Sequence, residues 1–402
     1  MVFDVLNTQA AYKLQLHLQY PTFMQQSVYM LEKLNQLTEG HGALKPGHGL
    51  ISGVIALCLG ILCFLGVLAF HFPQYLTTPQ LRQSYNVDVI RTVMLVALAI
   101  AGGMSLVNII FGRARWLSAA AFSLVVLTAF MGGHKVPVND FADNTPYIGL
   151  DWFILDLLGS ALIFIFIEKL FPHRKKQPVF RPEWQTDFHH FIVNHMIVGF
   201  VLLATNLMVH KGLGWAVKND LQMWIQSLPF VLELLLIILA ADLVQYWTHR
   251  AYHETWLWRL HAVHHSSKFM DWLAGSRQHI LELILTRTLV LGIIFVLGFS
   301  KEVIDAYIVV VGFQAVFNHC NVNVRLGPLR YIIVTPNFHH WHHSQDKEAL
   351  DTNYAAHYAF LDYLFGTAAK SDKIWPAEYG VLGDYVPNGF LKQFKFPFTW
   401  KG

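Results

Sequence analysis

The sequence predicts an all-α, polytopic integral membrane protein, and composition, hydropathy and the distribution of histidines are the observations behind that reading. Hydrophobic residues make up 54% of the 402 residues and charged ones 14%, with a mean hydropathy of +0.39. An ordinary soluble domain carries about 25% charged residues. Apolar runs at residues 50–70, 91–111, 116–132, 150–170, 188–209, 224–244, 283–299 and 303–317 each come near the roughly 20 residues that an α-helix needs to cross hydrocarbon. They predict eight spans, the last two separated only by Ser300-Lys301-Glu302 and read as a helical hairpin. Finally, 12 of the 22 histidines fall between His249 and His357, a concentration that calls for a chemical reason.

The elements follow in order. Residues 1–49 form an N-terminal segment with an expected amphipathic helix over Phe23–Leu37 and a Gly-rich link at Gly40–Gly49. Its apolar run starts too late for a secretory signal. Residues 50–187 are expected to be N-terminal transmembrane helices, 188–370 a catalytic domain of membrane helices plus histidine boxes, and 371–402 a C-terminal interfacial tail in which Phe390–Trp400 interleaves aromatic residues with Lys392 and Lys395. Short loops rich in Lys and Arg stay in the cytoplasm. Arg113 and Arg115 mark one such loop, and Lys169, Arg174, Lys175, Lys176 and Arg181 another. Counting spans from a cytoplasmic N-terminus then brings the boxes to that same face, as a histidine-rich helical cap. A net charge of +3 and a pI near 8.6 arise from these loops. They favour contact with anionic lipid over nucleic acid. Cys58, Cys63 and Cys320 cannot build a disulfide framework.

Residues three and four apart share a face of an α-helix. His249 with His253, His261 with His264 and His265, and His339 with His342 and His343 therefore each converge, while His279 and His319 stand singly. Neutral imidazole is the commonest protein ligand for first-row metals, and one tetrahedral metal uses at most four. So many imidazoles suit two metals sharing a site. Adjacent residues diverge by about 100° on a helix, so His264 and His265, like His342 and His343, are read as serving different metals. Asp242, Tyr246, His249 and His253 lie on one helical stripe. Asp242 is expected to accept a hydrogen bond from a ligating imidazole, Glu282 to support His279, and His340 to stay in reserve beside His339.

The order HxxxH, HxxHH, a lone His followed by Glu, a lone His near Asn and a final HxxHH resembles the fatty acid hydroxylase and sterol desaturase superfamily of membrane di-iron oxygenases. Leu326-Gly327-Pro328-Leu329, Asn353-Tyr354 and Leu364-Phe365-Gly366-Thr367 add to the resemblance, which is dense from Asp242 to Thr367. It implies two iron ions, with zinc able to replace them on purification, and hydroxylation or desaturation of a lipid by O2. Some relatives carry another histidine at the place of Asn323. The chain shows no haem-binding element, dinucleotide fingerprint or cysteine set for an iron–sulfur cluster. The resemblance therefore also implies a separate electron donor of ferredoxin or cytochrome b5 type with its reductase. It further implies residence in a bacterial inner membrane, or the endoplasmic reticulum of a eukaryote. Trp256, Trp258, Trp272, Phe338 and Trp341 are expected at the rim of the site.

Other readings explain less. A metal-binding or metal-transporting membrane protein would place its ionisable residues at the midplane of its spans, where His195 is the main example here. A membrane haem protein would use two axial histidines per haem and leave most of the boxes without a role.

Overall fold

The computed structural model describes residues 50–78, 82, 86–112, 115–138, 149–324, 326–369 and 375–400. The expected Phe23–Leu37 helix, the Gly40–Gly49 link, Arg113 and Gly402 lie outside them. Among the described residues the regular structure is helical, and the only β-type pairings are two isolated bridges, Pro172 with Val322 and Ser344 with Tyr379. The chain divides into two compact units, one of residues 1–74 with 80–144 and one of 75–79 with 145–402. The expected 188–370 domain lies wholly within the second.

In the first unit α1 (Leu50–His71), α2 (Val87–Phe111) and α3 (Arg115–Phe130) pack together. Without a hydrophobic driving force between helices in lipid, close approach depends on small residues. Ala56, Ala101, Ser105, Ser118 and Ala121 are accordingly buried, while Val93, Val107 and Ile110 stay exposed. The Ser52 hydroxyl donates to Asn108 Oδ1 at 2.9 Å, so a polar contact joins α1 to α2.

The second unit holds α4 (Leu150–Leu170), α5 (Trp184–Leu213), α6 (Asn219–Gln226), α7 (Phe230–Glu254), α8 (Trp258–His265), α9 (Ile280–Leu297), α10 (Lys301–His319), α11 (Pro336–His342), α12 (Phe360–Phe365) and α13 (Phe390–Thr399). Its core joins Ile237, Ile238 and Ala241 of α7 to Val290 and Ile294 of α9 and to Val303 and Tyr307 of α10. Buried Glu233 accepts hydrogen bonds from the Ser300 backbone N–H at 2.6 Å and its hydroxyl at 2.9 Å, tying the start of α7 to the α9–α10 turn.

Among the described residues six helices are long and apolar enough to cross a membrane, where eight spans were expected. The 30-residue α5 and 19-residue α10 also form where spans were expected. Gln314, Asn318 and His319 interrupt the apolar surface of α10, which falls outside that set and whose last turn enters the histidine cluster. The expected 224–244 span starts later, at Phe230, because Pro229 lacks the N–H that would continue α6.

Gly298 ends α9 with φ +66°, and a Cβ there would stand 2.2 Å from Gln222 Cδ. Gly298→Ala is expected to lower stability by about 1–2 kcal/mol from backbone strain alone, and by more from the clash. Thermal unfolding in detergent measures it, and an unchanged midpoint would contradict the tight turn.

Candidate metal centre

The last turns of α7 carry Asp242, Tyr246, His249 and His253 along one buried stripe, as the sequence spacing requires. Arg250 points off it, bonding Glu254 at 2.8 Å. Helix α8 follows a turn and is buried from Leu260 to His265. Helix α11 starts on Thr335, whose hydroxyl accepts the Phe338 N–H, with Pro336 in the first turn where a missing N–H does no harm.

These elements and the end of α10 gather nine imidazoles into two groups. His249, His253, His261, His265 and His342 form one; His264, His319, His339 and His343 form the other, and within each group the candidate ligand atoms lie within 4.8 Å of one another. The adjacent pairs His264–His265 and His342–His343 are each split between the groups, and the rings of His265 and His343 stack at 4.4 Å.

Second contacts fix the tautomers. His249 Nδ1–H donates to the Tyr354 carbonyl at 2.7 Å, and His342 Nδ1–H to the Thr352 carbonyl at 2.7 Å. His264 Nδ1–H donates to the Arg277 carbonyl at 3.0 Å, and His319 Nδ1–H to the Ala315 carbonyl at 2.8 Å. His261 and His253 turn the same nitrogen to the carboxylates of Glu282, at 2.8 Å, and Asp351, at 3.2 Å. Carbonyl and carboxylate oxygens only accept, so each of these rings carries its proton on Nδ1 and leaves Nε2 as a bare lone pair. Yet Nε2 of His249 lies 2.9 Å from Nε2 of His261, and Nε2 of His264 lies 3.2 Å from Nε2 of His319. Facing lone pairs repel unless a cation lies between them. Protonating the rings does not relieve this, because burial first, and neighbouring imidazoles next, hold His264, His265, His339, His342 and His343 well below the usual histidine range. Nε2 of His253 and of His342 is buried without a hydrogen-bond partner. Nine neutral nitrogen donors in two groups, several lacking any protein partner, fit two metal ions.

Other expected site residues take different places. His279 lies outside both groups: its Nε2–H donates to the Phe394 carbonyl of α13 at 3.0 Å, while Nδ1 accepts the Leu281 N–H. Glu282 supports His261 rather than His279. Asp242 accepts the backbone N–H groups of Ala356, His357 and Tyr358, at 2.9, 3.1 and 2.6 Å, instead of an imidazole proton. The Tyr246 hydroxyl pairs with Thr367 Oγ1 at 2.7 Å, and Thr367 donates in turn to Asp362. His340 turns away from the groups, its Nδ1 accepting from the Tyr379 hydroxyl at 2.8 Å and its Nε2–H donating to the His319 carbonyl at 3.3 Å. Asn323 is exposed, and Cys320 stands in neither group. Of the expected rim, Trp258 lies 5.0 Å from the His253 ring, Phe338 and Trp341 are buried, and Trp256 is exposed.

Two positioning devices had no counterpart in the sequence reading. The segment 351–358 supplies Asp351, the Thr352 carbonyl and the Tyr354 carbonyl to three ligands of the first group. Asp362 holds it through the Tyr354 and Ala355 N–H groups, and Asp242 holds the next three residues. Beneath the second group, Arg181 and Arg277 share Asp187; Arg181 also bonds Asp271 at 2.9 Å, and Arg277 bonds Glu183 at 3.0 Å and the Ser266 hydroxyl at 3.2 Å. This buried network fixes the Arg277 carbonyl on which His264 rests.

Paired groups of imidazoles that could hold metal, on a helical scaffold with membrane-capable helices, mark the chain's class as that of a membrane protein. Residues 234–367, which include all nine gathered histidines, match the fatty acid hydroxylase family model. The chain carries a fatty acid hydroxylase domain over these residues, a third of its length. It is 29% identical over 255 residues to ornithine lipid hydroxylase OlsE of Rhizobium tropici, covering 62% of this chain and 77% of that one. Very-long-chain aldehyde decarbonylase GL1-4 of Oryza sativa subsp. indica is 32% identical over 142 residues, 32% of this chain and 22% of its own. Alkylglycerol monooxygenase of Danio rerio is 31% identical over 144 residues, 35% and 31% of the two chains. The chain thus spans most of the rhizobial relative but under a third of the other two. No solved structure matches it.

Asp242→Asn keeps one acceptor but turns an NH2 group toward backbone donors. It is expected to lower metal affinity roughly 10–100-fold without emptying the site, read by competition with a chelator. A variant that binds metal as tightly as the parent would remove Asp242 from the support of the centre.

Proposed function

We propose that this chain is an O2-dependent di-iron oxidoreductase that hydroxylates or desaturates a membrane lipid, using electrons from a separate carrier. The observation behind this reading is the pair of imidazole groups with bare, facing lone pairs. His249, His253, His261, His265 and His342 would hold one iron, and His264, His319, His339 and His343 the other. Two irons there would supply the reduction of dioxygen with two external electrons and the removal of hydrogen from an unactivated C–H bond.

The chain's residues do the rest. Glu282 and Asp351 hold the protons of His261 and His253 on Nδ1, keeping Nε2 free to bind. Asp242, Asp362 and Tyr246 with Thr367 hold the 351–358 segment and act through it. Helix α13 closes over α8, with Phe396 against Ala262 and Val263, and keeps bulk water from the buried rings. The rhizobial relative is named for hydroxylation of an amino-acid-containing lipid and aligns well beyond the domain, which favours a polar membrane lipid as substrate. The positive-charge count favours a cytoplasmic face for the cap, the side on which soluble donors such as ferredoxin or cytochrome b5 are found. The domain limits 50–187, 188–370 and 371–402 remain our working division.

Competing readings make different measurements. A metal transporter would bind metal without consuming O2, and a haem protein would show an intense Soret band. Purified protein expressed with iron is expected to bind about two metals per chain, with zinc able to occupy the same nitrogens. A folded preparation that saturates at one would overturn the paired site. Lipids from cells with and without the chain, grown under isotopically heavy O2, are expected to differ by one heavy oxygen or by two hydrogens. His264→Ala is expected to abolish that difference; full product from this variant would remove the central box from the chemistry.

A further inference from the structure

His340 is excluded from both imidazole groups, yet it is fully buried and touches one of them, since its Nε2–H donates to the carbonyl of His319. Its other neighbours lead outward. The His340 ring meets Trp375 edge-on at 5.0 Å, and Trp375 stacks on His173 at 3.9 Å with an interplanar angle of 19°. His173 and Trp375 are half-buried, so this chain of rings reaches the surface.

The segment that carries His173 is locked to the metal side of the fold. The His173 N–H donates to the Asn321 carbonyl at 3.1 Å, the Arg174 N–H to Asn321 Oδ1 at 2.7 Å, and the Asn323 N–H to the Phe171 carbonyl at 2.8 Å. Residues 321–323 follow ligand candidate His319 after Cys320, so these hydrogen bonds tie the ring-bearing segment to the chain beside the second imidazole group. The same segment is basic. Lys169, Arg174, Lys175 and Lys176 lie within residues 169–176, which hold no carboxylate, and the three lysines are exposed. Arg174 stacks on the Tyr379 ring at 4.4 Å and donates to the Ala377 carbonyl at 2.8 Å, and the Tyr379 hydroxyl is the group bonded to His340. Glu378 is the only carboxylate in the adjoining residues 375–381.

We propose that an acidic one-electron carrier protein docks on the Lys169–Lys176 segment and delivers electrons through Trp375, His173 and His340 to the His264–His319–His339–His343 group. The proposal rests on the oxygenase reading. Each docking oxidises the reduced carrier by one electron and reduces the metal group by one; two such visits, with two protons from water, balance one O2 consumed per C–H bond oxidised. A basic segment at a membrane surface can also hold anionic lipid. Lipid contact would leave the buried ring chain behind the lysines without a role, whereas an electron carrier uses both.

The test compares the iron-loaded full-length protein in detergent with the double variant Lys175→Glu/Lys176→Glu and with Trp375→Leu, using a reduced acidic [2Fe–2S] ferredoxin as probe. The double variant is expected to weaken ferredoxin binding roughly tenfold at low salt, with the difference vanishing at high salt. Trp375→Leu is expected to leave binding unchanged while slowing reduction of the metal centre by ferredoxin several-fold. Dithionite, which needs no docking site, should reduce all three proteins alike. Unchanged ferredoxin affinity in the double variant, or unchanged reduction by ferredoxin in Trp375→Leu, overturns the route. Loss of binding to phosphatidylglycerol vesicles with ferredoxin affinity intact also overturns it, and assigns the lysines to lipid. Product formed by the parent with dithionite shows that the oxygenase reading stands even where the route fails.

Discussion

The metal side of the second unit answers to one constraint, the packing of nine uncharged imidazoles in which the unshared electron pairs of His249 and His261, and of His264 and His319, face one another about 3 Å apart. No protein group relieves that repulsion, because carbonyls and carboxylates already take the Nδ1 protons of His249, His264, His319 and His342 and of His253 and His261. Cations do relieve it. Metal bound there would couple to folding, because helices α7, α8, α10 and α11 converge on the point that positive charge would fill.

Holding the rings in place falls to groups that touch no metal. Backbone carbonyls are good orienting partners because they cannot donate, but a carbonyl outside regular structure must itself be fixed. Asp242 and Asp362 do this for the 354–358 segment by accepting five backbone N–H groups between them, and the Arg181–Asp187–Arg277 network does it for residue 277. A buried ion pair adds little stability relative to an apolar core of equal volume. Its value here is in position.

What the sequence made legible follows from periodicity. The α7 stripe, the convergence of His261, His264 and His265, and the separation of adjacent histidines onto different groups are all consequences of 3.6 residues per turn. The eight apolar runs likewise correspond to helices, and polar residues within α10 keep that one out of the membrane-capable set. Periodicity fails where the backbone is not helical. His279 and Glu282 are three apart, but His279 is the N-cap of α9, with φ −72° and ψ 139°, so the two side chains diverge and Glu282 reaches His261. Asp242 does share a face with His249, but it lies two turns deeper, where the neighbours are the turn N–H groups of 356–358 and not a ring. The 351–358 segment has no repeat to read at all; Asp351 and Asn353 adopt left-handed φ values of 55° and 59°. Its Asn353-Tyr354 pair was recognisable as part of a family pattern without revealing what the Tyr354 carbonyl does.

The two groups are not equivalent. The first has five imidazoles, two of them backed by the carboxylates of Glu282 and Asp351, so negative charge reaches it through the Nδ1 protons of His261 and His253. The second has four, and its known supports, the Arg277 and Ala315 carbonyls, are neutral. Asn323, where some relatives place a further histidine, is exposed and bonded through its backbone to Phe171, so it does not restore the balance. A cation held by the second group would have one imidazole fewer around it and no carboxylate behind its ligands, and so would keep more of its charge than one held by the first. That charge favours accepting an electron, and it is the second group's His319 that the buried His340 touches.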